Sequence, residues 1–264
     1  MEEDIEFVVL GSSSKANLFA LRCEKRVLLI DNGFSCREAL RRLASIDVDP
    51  SQVCALLVTH AHTDHTRGAA VLARRLGIPV YMPRAMAESG AWKNITVFPV
   101  DAESPLEIGA FQVLPIRTYH DAASSLGYSL FCGSVRVTMI TDTGKTDDRM
   151  TELAAASDLL CLESNYCEQM LANGGYPYIL KRRLASGNGH LSNSESTALL
   201  QKIGPRTQHI FLCHLSGENN TPETVRRYLE DFQVPCRDRT VICSRDAVYR
   251  QQIRQLTPRR RMPI

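Results

Sequence analysis

The chain has 264 residues, 44% of them apolar and 23% charged, and a formal net charge of +2; that is enough chain for one large domain with a sizeable core. So small a charge excludes binding driven by overall charge and merely permits a nucleic-acid partner. The acidic start "MEEDIEF" lacks the basic and apolar regions of a secretory signal, and no apolar run approaches the ~20 residues that span a bilayer, so a cytoplasmic protein without a membrane segment is expected.

In chain order, "IEFVVL", "NLFALRC" and "RVLLID" read as three consecutive strands. A helix over "SCREALRRLA" follows, with Ser35 and Glu38 spaced for a capping box. Strand "VCALLV" leads into "THAHTDH", which opens a helix "HTRGAAVLARRLG" ending at Gly77. Strands follow at "PVYM", "ITVFPV", "FQVLPI", "LGYSLF" and "VRVTMIT", the last two joined as a hairpin through "CGS". The remainder alternates: helix "DDRMTELAAAS", strand "LLCLES", a helical region at "PYILKRRLA", the helix "SNSESTALLQKIG" with Ser192 and Glu195 as a capping box, strand "HIFLCHL", helix "TPETVRRYLEDF" and strand "VICS". A β-rich beginning followed by α/β alternation implies two sheets covered by helices. There is no internal linker or repeat, so residues 1–264 read as a single domain with a flexible basic tail at 257–264. The nine cysteines are an odd number without a C-x-x-C pair, which favours reduced, mostly buried thiols over a disulfide framework or zinc ribbon.

The motif "THAHTDH" carries the chemistry. Side chains two apart in an extended segment point the same way, so His60 and His62 can reach one metal ion. Where the chain then turns into a helix, Asp64 and His65 can swing toward a second. A lone histidine in a polar loop usually does no more than hydrogen-bond; four potential ligands in H-x-H-x-D-H order argue for metal. Further ligands stand at the ends of predicted strands: His120, Asp142 and His214. In the last strand Ile210, Leu212 and His214 share one face and Phe211 and Cys213 the other, which makes Cys213 a core thiol. Five imidazoles and two carboxylates without sulfur suit two divalent ions, Zn²⁺ or Mn²⁺.

These motifs, with "TDTG" around Asp142, "LCHLS" around His214 and Asp31 in "LLIDNG", resemble the successive motifs of the metallo-β-lactamase superfamily over nearly the whole chain. The resemblance implies an α/β four-layer αββα sandwich, with two mixed sheets covered by helices and the metals at one edge. It further implies that His60, His62 and His120 hold one metal, that Asp64, His65 and His214 hold the other, that Asp142 bridges them, and that Asp31 orients a ligand. Oxygen-reducing di-iron members carry a glutamate where this chain has His62, which favours hydrolysis. Glu163 in "LESNY" and His190 in "GNGHLSN" resemble the acid and histidine pair of the phosphodiesterase branch, where cleavage needs a proton for the leaving oxygen. Turnover should then depend on Asp64, Glu163 and His190.

"GSSSKAN", "YPYILKRRLASGNGHLSN" and "HLSGENNTPE" look most like the WalJ/YycJ-type group of single-domain nucleases, although Ala16 stands where that group commonly has glycine. The implied activity is 5′ to 3′ exonuclease action on DNA; the alternatives are hydrolysis of a small or cyclic phosphodiester, or cleavage of RNA. Only 71 residues separate Asp142 from His214, which leaves no room for a large substrate-clamping insert. Lys181, Arg182 and Arg183, just before His190, are the candidates to grip a phosphate backbone, with Tyr176 and Tyr178 available to stack on bases. The pairs Arg41 and Arg42, Arg74 and Arg75, and Arg226 and Arg227 fall within predicted helices and read as solvated faces. Oligomeric state is not legible from the sequence.

Overall fold

A computed structural model describes residues 5–90 and 92–253. The tail at 257–264 and its arginines therefore lie outside the described residues.

The N-terminal half supplies β1 (Ile5–Gly11), β2 (Leu18–Cys23), β3 (Arg26–Ile30), α1 (Cys36–Ala44), β4 (Val53–Leu57), α2 (Thr63–Thr66), α3 (Ala69–Leu76), β5 (Val80–Pro83), α4 (Arg84–Ala87) and β6 (Val97–Val100). The C-terminal half supplies β7 (Leu106–Ile108), β8 (Phe111–Arg117), β9 (Leu126–Cys132), β10 (Val135–Ile140), α5 (Asp148–Ala155), β11 (Leu159–Glu163), α6 (Glu168–Asn173), α7 (Tyr178–Leu184), α8 (Asn193–Leu200), β12 (His209–Cys213), α9 (Pro222–Asp231), β13 (Thr240–Ile242) and β14 (Tyr249–Ile253). They form two seven-stranded mixed sheets, ordered β14-β1-β2-β3-β4-β5-β6 and β13-β12-β11-β10-β9-β8-β7. In the first, β3 to β6 are parallel; in the second, β10 to β13 are.

Strand parity builds the layers. Along β1, Ile5, Phe7 and Val9 enter the core between the sheets, while Val8 and Leu10 pack outward with Leu43 of α1 and Leu72 of α3. In β12, Phe211 and Cys213 face the inter-sheet core, and Ile210 and Leu212 pack with Leu153 of α5, Leu200 of α8 and Leu229 of α9. Strands buried on both faces explain the near-continuous apolar runs in the sequence. The result is the expected αββα sandwich, with Cys213 in the core as parity indicated. No helix among the described residues is long and apolar enough to cross a membrane.

Several details differ from the sequence reading. The helix expected over "HTRGAAVLARRLG" is two helices, α2 and α3, broken at Arg67 and Gly68; a Cβ at Gly68 would lie 1.9 Å from the Phe34 carbonyl oxygen, so the break lets the loop after β3 pass close by. At α1, Ser35 accepts from Glu38 N, but the Glu38 carboxylate turns to Arg41 and Arg42 instead of closing a capping box. Arg42 is not on a solvated face: it is buried over the Phe34 ring and donates to the carbonyls of Leu10 and Arg245. Helices α4 and α6 and strands β7 and β14 are additional to the predicted elements. Cys23 and Cys132 are joined by a disulfide between β2 and β9, contrary to the all-reduced expectation; the two strands belong to opposite sheets, and stacking brings together inward-facing positions 109 residues apart.

Candidate metal centre

Strand ends deliver the site. β3 runs into Asp31, β4 into Thr59 and His60, β8 into His120 and β10 into Asp142; β11 ends on Glu163 and β12 runs into His214. Asp31, Asp142 and His214 hold φ of 58°, 57° and 59°, left-handed values that cost on the order of 1–3 kcal/mol each and persist only where the surroundings fix them. The fixing contacts are present. Asp31 N donates to Leu57 O at 2.8 Å, and His214 N donates to Ser12 Oγ at 2.9 Å.

The histidine motif bends as its spacing implies. His62 is the extended N-cap of α2, so His60 and His62 precede the helix while Asp64 and His65 lie in its only turn. Its backbone is clamped by neighbouring loops: Asn17 N donates to Asp64 O and Asn32 N to His65 O, at 2.9 and 2.7 Å. Ala16, in that first loop, is buried and keeps a negative φ, so its turn does not require a glycine.

Four overlapping clusters of ligand-capable side chains result, among them His60, His65 and Asp142, and Asp142, Glu163, His190 and His214. Ligand atoms of His60, His62 and His120 lie within 4.8 Å of one another, and so do those of Asp64, His65 and His214. Asp142 stands between them, with Oδ2 3.3 Å from His65 Nε2 and Oδ1 3.4 Å from His214 Nε2, 3.8 Å from His120 Nε2 and 3.9 Å from His60 Nε2. His60 Nε2 and Asp142 Oδ2 are buried without a hydrogen-bond partner, an arrangement too costly to keep unless something binds them. The outer nitrogens are engaged. Nδ1 of His60 meets Thr59 Oγ1 at 3.0 Å, that of His65 meets Asp31 at 2.7 Å, that of His120 meets Gly189 O at 2.8 Å, and that of His214 meets Glu163 at 2.9 Å. Such contacts fix the ring so that Nε2 turns inward as a lone-pair donor. Imidazoles and carboxylates, with no thiolate, fit divalent metal ions.

The histidines differ in their electrostatics. Burial pushes the His60 pKa well down, and the neighbouring His65 adds to this, so His60 is neutral. Burial alone would raise the carboxyl pKa values, but His214 and His65 hold both Asp64 and Asp142 well below the usual range. His214 shows the reverse balance: burial lowers its pKa, while Asp142, Asp64 and Glu163 lift it to about 10.

Glu163 and His190 also come together. Glu163 Oε1 lies 2.7 Å from His190 Nδ1, and Oε2 accepts from Thr143 N and Leu191 N at 3.0 and 3.2 Å. The capping box of α8, Ser192 with Glu195, is complete and anchors the chain just past His190. The three basic residues before His190 diverge. Arg183 lines the metal pocket beside His62, Asp64 and His190; Lys181 and Arg182 line a separate surface groove with Tyr166 and Tyr178, Lys181 donating to Ala172 O at 2.6 Å. Sequence reasoning missed Thr59, the bond of Glu163 to His214, and Asp121 at the pocket mouth. The signal for Asp121 was only its place directly after His120.

The fold and this cluster are those of a metallohydrolase, and the chain belongs to the beta-lactamase superfamily: the family's domain model matches residues 26–214. Among relatives, the chain is 34% identical over 235 residues to the exodeoxyribonuclease YycJ of Bacillus anthracis, covering 84% of this chain and 86% of that one. It is 33% identical to the exodeoxyribonuclease WalJ of Streptococcus pneumoniae serotype 2, with the same coverage. Among solved structures, the metallo-beta-lactamase fold protein YhfI from Bacillus subtilis superposes with a TM-score of 0.72 at 20% identity, over 94% of this chain and all of that one.

Proposed function

We propose that this chain is a two-metal phosphodiester hydrolase that acts as a 5′ to 3′ exonuclease on DNA. The observation that carries the chemistry is the Glu163–His190 pair opening onto the same pocket as Asp64, Asp142 and His214. The DNA assignment draws on the exodeoxyribonuclease relatives.

His60, His62 and His120 would hold one ion, Asp64, His65 and His214 the other, with Asp142 shared; the sulfur-free set suits zinc or manganese. Divalent ions at such a site polarise phosphoryl oxygens and make water acidic enough to act near neutral pH. The remaining work falls to the chain's own groups. Glu163 is kept ionised: burial opposes this, but His190 and His214 hold its pKa below the usual range. Its Oε1 accepts a hydrogen bond from Nδ1–H of His190, which orients the ring so that Nε2–H can deliver its proton to the departing oxygen. Asp31 and Thr59 keep His65 and His60 turned inward.

Size favours a polymer over a small cyclic diester. The metal pocket is about 180 Å³, below the several hundred Å³ that typically enclose a whole small ligand. A polymer would extend from it along the surface, where Arg183, Arg182 and the exposed ring of Tyr178 are available.

The test is cleavage of end-labelled single- and double-stranded DNA and RNA by the purified protein with Mn²⁺ or Zn²⁺. Stepwise release of nucleotides from the 5′ end of DNA is expected. Preference for RNA, or for a cyclic dinucleotide over any polymer, would replace the DNA assignment.

A further inference from the structure

One acid at the pocket has no part in the chemistry above. Asp121 directly follows His120, and its side chain is three-quarters buried, at 25% exposure. Its Oδ1 lies 3.6 Å from His120 Nε2 and 3.7 Å from His62 Nε2, while its Oδ2 accepts a hydrogen bond from Arg183 Nε.

Arg183 needs such a partner. It sits on α7, a helix with no buried residue, on which Tyr178 and Ile179 are 72% and 82% exposed. The guanidinium nevertheless reaches the pocket that gathers His62, Asp64, Asp142, His190 and His214. A site built for divalent cations repels a guanidinium, and a half-exposed arginine on a flexible stem would swing into solvent unless something held it. Asp121 supplies the opposing charge at that point. It also sets the geometry: the bond uses only Nε, and the two terminal amino groups make no hydrogen bond among the described residues. Those two groups are a fork matched to a phosphate. The helix end is joined to the catalytic side as well, since His190 N donates to Leu184 O at 3.0 Å and a Cβ at Gly189 would lie 2.1 Å from that same carbonyl oxygen. The position of Arg183 is thereby tied to that of His190.

We infer that Asp121 is a positioning residue, which holds the Arg183 guanidinium at the mouth of the metal pocket with its free edge presented to a phosphate of the bound strand. The inference rests on the phosphodiesterase reading above. It assigns Asp121 to the arginine and not to the metals, despite its closeness to His62 and His120.

The experiment is steady-state cleavage of a single-stranded oligonucleotide by Asp121→Asn, Asp121→Glu, Arg183→Ala and the Asp121→Asn/Arg183→Ala double variant, with metal content measured for each. Loss of one charged hydrogen-bond partner should raise KM about tenfold in Arg183→Ala, with a smaller change in kcat. Asp121→Asn should raise KM in the same direction with both metals retained, and Asp121→Glu should recover most of the loss. The double variant should be no worse than Arg183→Ala alone, because Asp121 acts through the arginine. Additive effects, an unchanged KM in Asp121→Asn, or loss of a metal equivalent from that variant would overturn the inference. Turnover of bis(p-nitrophenyl) phosphate by the unmodified protein separates the two levels: failure there, together with failure on DNA, removes the phosphodiesterase reading itself.

Discussion

The carboxylate of Glu163 reaches Nδ1 of His214 at 2.9 Å, so the acid that orients the proposed proton donor also braces a proposed metal ligand. The same oxygen meets His190 at 2.7 Å, and one residue therefore couples two tasks. Glu163→Gln should injure both. A glutamine amide can place an N–H where an acceptor is needed, and outer contacts of this kind are worth about 10- to 100-fold in metal affinity. The expected outcome is a fall in kcat together with weaker metal retention during dialysis. Full metal retention would confine the role of Glu163 to His190.

His190→Ala should separate the two tasks. His190 lies outside the two proposed ligand sets, so metal content should remain at the unmodified level. General acid catalysis contributes about 10²- to 10⁴-fold, and kcat should drop within that range. A leaving group that needs no proton, such as p-nitrophenolate, should be released with a much smaller loss. Normal turnover of DNA would remove His190 from the reaction.

Asp64→Ala should abolish cleavage while leaving the chain folded. The residue sits in α2, with its side chain 17% exposed, and its contacts are to His65 and His214 and not to the apolar core. Far-UV circular dichroism should be unchanged, and one equivalent of metal should be lost. Undiminished cleavage by this variant would refute the metal assignment.

The sequence was most legible where chemistry and periodicity coincide. H-x-H-x-D-H is contiguous, and His120, Asp142 and His214 each follow a strand that alternation marks clearly, so the seven side chains that converge in the fold are legible in the sequence. Less visible were features created by the meeting of distant segments. Arg42 reads as a solvated helix residue until Leu10 O and Arg245 O arrive to accept from it. Cys23 and Cys132 meet only because two sheets stack. Strand β14, "YRQQI", lacks an apolar run because it is a polar edge strand; its place is set by pairing with β1. Asp121 stands beside a histidine in the sequence, but its meaning comes from Arg183, 62 residues later.

Removing the metals should make stability depend on pH in a definite direction. In the metal-free fold, burial lowers the His214 pKa, but Asp142, Asp64 and Glu163 together raise it to about 10, whereas an unfolded histidine titrates near ~6.5. His65 is raised too, with burial opposing and Asp142 and Asp31 prevailing. Where the folded state holds a proton that the unfolded state has released, raising the pH favours unfolding. The stabilisation is complete below about pH 6.5 and is lost as the pH climbs toward the His214 value of about 10. Chelator-treated protein should therefore melt at progressively lower temperature from neutral pH to pH ~10, and adding Zn²⁺ or Mn²⁺ should release protons and flatten the trend, since ligands must be deprotonated to bind. Thermal melts across that range, with and without metal, make the comparison. A Tm of the chelated protein that is level or rising with pH would mean that His214 is not held protonated by the acids around it.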